Sequence, residues 1–134
     1  MAMQNGPRPT HEQFHEIEPY FRLVADRVPD ILATAGPDGA NDFCNERFYQ
    51  CTGLPHSSVL ALNWQPLIHP NDLDRVIAQW SEVVQTGRAC EISYRLKMTD
   101  GSYRWFMGRN TPLFNSAGEI IKWIIYCTDI HDLK

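Results

Sequence analysis

The chain has 134 residues, enough for one domain with a single core that buries about two-thirds of the surface of its unfolded chain. Its 43% apolar and 21% charged residues are the composition of a soluble globular protein, and a net charge of −4 without any basic run argues against a nucleic-acid-binding surface. The longest strongly apolar stretch, residues 120 to 127, contains Lys122 and is far short of the roughly 20 residues of a bilayer span, so no transmembrane helix is expected.

Met1 to Pro9 lacks the charged-then-apolar order of a signal peptide and reads as a tail. From Glu12 to Val28, Phe14, Ile17, Phe21, Val24 and Val28 recur at helical intervals, and Pro19 suits the first turn of a second helix, so two short helices are expected. Ile31 to Ala35, the turn Gly36-Pro37-Asp38-Gly39 and Asp42 to Asn45 read as a β-hairpin. Its second strand is weak, because Asn41 and Asp42 are poor strand formers. Glu46 to Thr52 is a short helix ended by Gly53, and Ser57 to Leu62 is another helical turn. His69-Pro70-Asn71-Asp72 starts the longest helix, with Leu73, Val76, Ile77, Trp80, Val83 and Val84 on one face and Gly87 as its stop.

Ile92, Tyr94, Leu96 and Met98 then alternate with polar residues, the period of a half-buried strand. Asp100-Gly101 turns the chain into a strand from Tyr103 to Phe114, and Asn115 to Gly118 introduces a last strand through Asp129. The order is two strands, several short helices and a three-strand meander, an α+β fold.

Chemistry-bearing motifs are few. His11-Glu12-Gln13-Phe14-His15 spells the zinc-protease pattern H-E-x-x-H, whose histidines share a helix face, yet Pro19 breaks the segment before a third ligand can follow; a solvated helix face without metal is expected. His69, beside Pro70 at a helix start, reads as a capping residue rather than a haem ligand or base. The absence of a signal peptide and a membrane span implies a cytoplasmic address, and in that reducing compartment Cys44, Cys51, Cys90 and Cys127, without a C-x-x-C pair or metal-ligand spacing, are expected to be free thiols. No Ser/His/Asp set, phosphate loop or paired carboxylates stand out, and no catalytic residue is assigned.

Val28-Pro29-Asp30-Ile31, Gly36-Pro37-Asp38-Gly39, Asn45-Glu46-Arg47-Phe48, Thr52-Gly53-Leu54, His69-Pro70-Asn71-Asp72, Tyr94-Arg95-Leu96, Asp100-Gly101-Ser102-Tyr103-Arg104-Trp105 and Thr128-Asp129-Ile130, in this order, resemble a PAS domain with its C-terminal PAC motif. The resemblance implies a five-stranded antiparallel sheet with short helices across one face, enclosing a small pocket. Residues 1–20 are then a tail and flanking helix, and residues 21–134 a single sensory domain. The chain departs from the family at Asn41, usually apolar, Ala61, usually glycine, and His131, usually threonine; the first two predict an irregular second strand and following helices. LOV photoreceptors resemble PAS domains but carry a reactive cysteine where this chain has Trp64, so no flavin adduct is expected.

In the register that the resemblance sets, Ile92, Tyr94, Leu96, Phe106, Gly108, Asn110, Trp123, Ile125 and Cys127 face the helices, and Tyr94, Leu96, Phe106, Asn110, Ile125 and Cys127 are the candidate ligand pocket. Asn110 and Cys127 interrupt an apolar surface, which requires a ligand, a water or a backbone group to satisfy them. Asp129 and Ile130 are the expected signal output, with Asp129 held by backbone groups or an arginine. The implied partner is a C-terminal output domain of a longer protein, commonly a bacterial sensor histidine kinase of a two-component system and otherwise a cyclic-dinucleotide enzyme. The apolar residues of the Glu12 to Val28 helix predict a homodimer. The rival readings are a ligand-free interaction module and a zinc enzyme using His11 and His15.

Overall fold

Each turn signal closes an antiparallel pair in the computed structural model, which describes residues 20, 21, 23–56 and 64–133. Strands β1 (Ile31–Ala35) and β2 (Asn41–Cys44) flank the first turn, where the Gly36 N–H donates to the Ala40 carbonyl. Strands β3 (Glu91–Lys97) and β4 (Tyr103–Phe114) are joined through Asp100-Gly101. Strand β5 (Ile120–Asp129) follows a turn in which Asn115 Oδ1 accepts from the Ala117 and Glu119 amides. The sheet order is β2-β1-β5-β4-β3, antiparallel throughout. The two halves of the chain therefore meet where β1 pairs with β5, Ile31 opposite Cys127 and Ala33 opposite Ile125.

Helices α1 (Glu46–Thr52) and α2 (Pro70–Thr86) contribute Phe48, Val76 and Val83 to one core with the inner face of the sheet. His69 caps α2, its Nδ1 accepting the Asn71 N–H at 3.0 Å, and Pro70 occupies the first turn, where no amide hydrogen is needed. The β1–β2 turn is seated directly on α2. Gly39 has φ +91°, a Cβ there would lie 2.9 Å from Val84 Cγ2, and its carbonyl accepts Trp80 Nε1–H at 3.1 Å. Trp123, fully buried on β5, meets Trp80 edge-to-face at 5.7 Å.

Several boundaries differ from the sequence expectation. Asn45 is not the end of β2 but the N-cap of α1 and a fully buried hub. Its Oδ1 accepts from the Leu32 and Phe48 amides, and its Nδ2 donates to the Ala25 and Asp30 carbonyls. That bond to Ala25 coincides with the end of the preceding helix, in which Tyr20, Phe21 and residues 23–25 are helical and a turn begins at Asp26, short of Val28. The edge strand β2 is short and its register shifts between Thr34 and Ala35, the irregularity that Asn41 and Asp42 predicted. On α2, Ile77 is exposed, because only the Val76–Val83 row meets the sheet. Asp72 does not cap α2 and instead binds Arg95 on β3. The zinc-protease-like His11, Glu12 and His15, the apolar positions Phe14 and Ile17, Ala61 and the turn at Ser57 to Leu62 lie outside the described residues.

Candidate functional site

Strand register brings a tyrosine, a glycine and a cysteine into one line across the sheet. Ile92 on β3 is opposite Gly108 on β4, and Gly108 is opposite Cys127 on β5. Tyr94, two residues along β3 and on the same face, sends its ring back over Gly108, where a Cβ would stand 3.4 Å from Tyr94 Cε1 and 3.5 Å from its hydroxyl. The ring reaches β5, and the Tyr94 hydroxyl meets Cys127 Sγ at 3.0 Å. A side chain at residue 108 would fill the trough that makes this contact possible.

This line forms part of the floor of a cavity of about 100 Å³ between the sheet and the helices. Leu96, Asn110, Ile125, Ile31 and Ala33 complete the sheet side, Cys44 and Asn41 come from β2, and Phe48, Trp64, Val76 and Trp80 cover it. Five of the six candidate pocket residues, Tyr94, Leu96, Asn110, Ile125 and Cys127, thus line one space. Phe106, opposite Tyr94 on β3 and Asp129 on β5, is buried in the same core without lining the cavity. Gly108, Cys44, Asn41 and Trp80 were not singled out in the sequence as pocket residues. The glycine inside a strand pattern was the available signal, since such a residue marks a close approach.

The polar groups of the cavity are mostly satisfied from within the chain. Asn110 accepts the Cys90 N–H at 3.0 Å and donates to the Cys90 carbonyl at 2.8 Å, so a backbone group answers its burial. Asn41 Nδ2 donates to the Thr34 carbonyl. Burial pushes the Cys127 thiol up to about 11 and Cys44 up to about 12, and it raises the Tyr94 hydroxyl well above its usual range. All three are neutral at physiological pH, and the two thiols are weak nucleophiles. Trp64, matched in sequence to the LOV cysteine, lines the cavity.

Two residues beyond Cys127, the chain leaves the sheet at a charged corner. Asp129 Oδ2 accepts from Arg104 Nε at 2.7 Å, and Oδ1 accepts the His131 N–H at 2.9 Å. Burial alone would raise the Asp129 carboxyl, but these hydrogen bonds and the charge of Arg104 hold it below its ordinary value. The Ile130 N–H donates to the Trp105 carbonyl, and His131 Nδ1 accepts the Trp105 N–H at 3.2 Å, so the departing turn His131–Leu133 is laced to β4. His131, where the family usually has threonine, is therefore part of the lacing.

Among the described residues no group of three or more histidine, cysteine or acidic side chains is placed to hold a metal ion, and no helix is long and apolar enough to cross a membrane.

The sequence pattern of the PAS fold matches residues 41–127, more than half of the chain. A peroxide stress-activated histidine kinase of Schizosaccharomyces pombe is 28% identical over 117 residues, 87% of this chain and 7% of that protein. The Sinorhizobium fredii protein y4lL is 27% identical over 115 residues, 86% of this chain and 14% of that protein. The chain thus spans a small fraction of the curated relatives it matches. Among solved structures, the N-terminal domain of a diguanylate cyclase with PAS/PAC sensor from Marinobacter aquaeolei superposes with a TM-score of 0.69 at 22% identity, covering 78% of this chain and 97% of that one. A sensory box histidine kinase/response regulator from Burkholderia thailandensis gives 0.62 at 26% identity, over 84% of this chain and 86% of that one. The sheet order, the helices over its inner face and the sequence match agree, and the chain belongs to the PAS fold family as a sensory domain similar to those of histidine kinases and diguanylate cyclases.

Proposed function

We propose that this domain is a non-catalytic, cytoplasmic sensory module of a larger signalling protein of the histidine-kinase kind, which holds a small molecule in its cavity and passes the change to a C-terminal output domain. The observation that carries the reading is the position of Cys127. Its thiol lies on the cavity floor against Tyr94, and it stands two residues before the Asp129–Ile130 corner on the same strand. Successive residues of a strand are stiffly coupled, so a shift at residue 127 displaces the end of β5. A half-exposed charge-assisted bond there, worth up to about 1 kcal/mol, can bias a two-state element by up to about fivefold.

The route is tested by amide hydrogen exchange of the chain with Cys127→Phe, which fills the cavity. Altered exchange at Trp105, Ile130 and His131 is expected. A change confined to the amides around the cavity, in a variant that melts as one cooperative unit, would sink the route.

Pairing of two copies belongs to the same reading. Tyr20, Leu23 and Val24 are exposed at 71%, 62% and 62% on the helix that ends at Ala25, while Phe21 packs edge-to-face on Phe43. An apolar helix face of that kind is commonly covered by its symmetry mate. Sedimentation of the full chain should give a dimer, and a version beginning at Tyr20 should be weaker or monomeric; equal monomer masses for both would remove the helix from this role.

A further inference from the structure

Resting on the reading of the cavity as a ligand site, we propose that its ligand is a compact, uncharged molecule with one oxygen acceptor, a ketone, aldehyde or alcohol of about four or five non-hydrogen atoms.

Size sets the first limit. A cavity of about 150 Å³ in a protein core accommodates benzene, and the space here is about 100 Å³. A haem, a flavin or a long acyl chain exceeds it. Charge sets the second limit: among the described lining residues there is no lysine, arginine, histidine, aspartate or glutamate. A carboxylate or an ammonium group would lose its hydration there with no ion to replace it.

Hydrogen bonding sets the third. Asn110 is held at both ends by the Cys90 backbone, and Trp80 Nε1 already donates to Gly39. The Tyr94 hydroxyl differs, because its partner is the sulfur of Cys127 at 3.0 Å, and a thiol is a weak acceptor. A ligand oxygen is a better acceptor for the phenolic hydrogen, so the exchange of partners favours binding. Gly108 gives this donor its place, since the ring lies over the glycine, where a Cβ would touch it, and Tyr94 lines the cavity. The exchange also frees the Cys127 thiol, which connects occupancy to β5.

The test uses the whole chain and four probes, followed by amide chemical shifts in ¹H–¹⁵N spectra and by melting. Cyclobutanone supplies the oxygen, methylenecyclobutane has nearly the same shape without it, cyclopropanecarboxylate adds charge at similar size, and dodecanoate adds length. Cyclobutanone is expected to shift the Gly108 and Cys127 amides and to bind about fivefold more tightly than the hydrocarbon, while both carboxylates leave the spectra unchanged. Tyr94→Phe should erase the ketone's advantage and leave hydrocarbon binding as it was. Ala33→Leu, which fills the cavity, should abolish all binding. Carboxylate binding as tight as that of the ketone, lost in Ala33→Leu, would keep the cavity as a ligand site and overturn the ligand class. A ketone advantage that survives Tyr94→Phe would overturn the assigned donor. No response to any probe would overturn both the class and the site.

Discussion

Two arginine–aspartate pairs in this domain use the same chemical groups for different ends. Asp72, at the start of α2, accepts the backbone N–H of Arg95 at 2.9 Å, its Nε at 3.0 Å and its Nη2 at 2.8 Å. Asp129, at the end of β5, accepts Arg104 Nε at 2.7 Å. The side chains of the first pair are 7% and 28% exposed, and those of the second 36% and 35%. Arg95 also lies over the Trp105 ring at 5.0 Å. The first pair is a clamp that fastens the cavity-covering helix to the edge strand β3. The second is wet enough to be made and broken at small free-energy cost, which suits the exit that the proposed signal route assigns to it.

The widest separation between the two is expected from deleting each carboxylate. Asp72→Ala strips three hydrogen bonds from Arg95 and should lower unfolding free energy by about 2 to 3 kcal/mol in a denaturant titration. Asp129→Ala should lower it by less than about 1 kcal/mol. Equal losses would mean that the two pairs are one kind of device.

Acid should distinguish them next. The fork from Arg95 holds the Asp72 carboxyl down to about 2, from an ordinary 3.8. The contribution of a depressed carboxyl is complete above its unfolded value and is lost as pH falls through the folded one. Between about pH 4 and pH 2, the parent should therefore lose roughly 1 to 2 kcal/mol from this group, less than the whole shift implies because solvent screens Arg95. Asp72→Asn should lack that part of the acid profile, and an unchanged profile would contradict the clamp.

The smallest effect is that of salt. At about 1 M ionic strength the screening length is about 3 Å, so Arg104→Ala and the parent, about 2 °C or less apart at low salt, should melt together. Asp72→Ala should stay well below both. A persistent Arg104→Ala deficit in high salt would make the corner a structural pair.

Turn chemistry and alternation were legible in the sequence because they are local. Asp100-Gly101 and Asn115 to Gly118 need only their own neighbours to dictate a reversal, and Ile92, Tyr94 and Leu96 alternate whatever lies opposite. The role of Asn45 was not legible, since its partners Ala25, Asp30 and Leu32 lie 20, 15 and 13 residues away and are brought together only by the finished fold. The placement of Asn110 on the inner face was readable, and so was its need for a partner. Only the register of β4 shows that the Cys90 backbone supplies one. Ile77 illustrates the opposite failure, because helical periodicity marks an apolar face without showing how much of it the sheet is wide enough to cover.

The trough at Gly108 also constrains how this sequence can drift. A Cβ at that position would already be in van der Waals contact with the Tyr94 ring and the Ile92 carbonyl, so a side chain longer than alanine's would strike them, and a smaller residue at 94 would leave a hole over the glycine. Beyond alanine, the two positions can then change only in concert. Related chains that replace the glycine with a residue larger than alanine should carry a smaller or differently directed residue in place of the tyrosine, and the pair should appear as a correlated substitution even though 14 residues separate them in the chain.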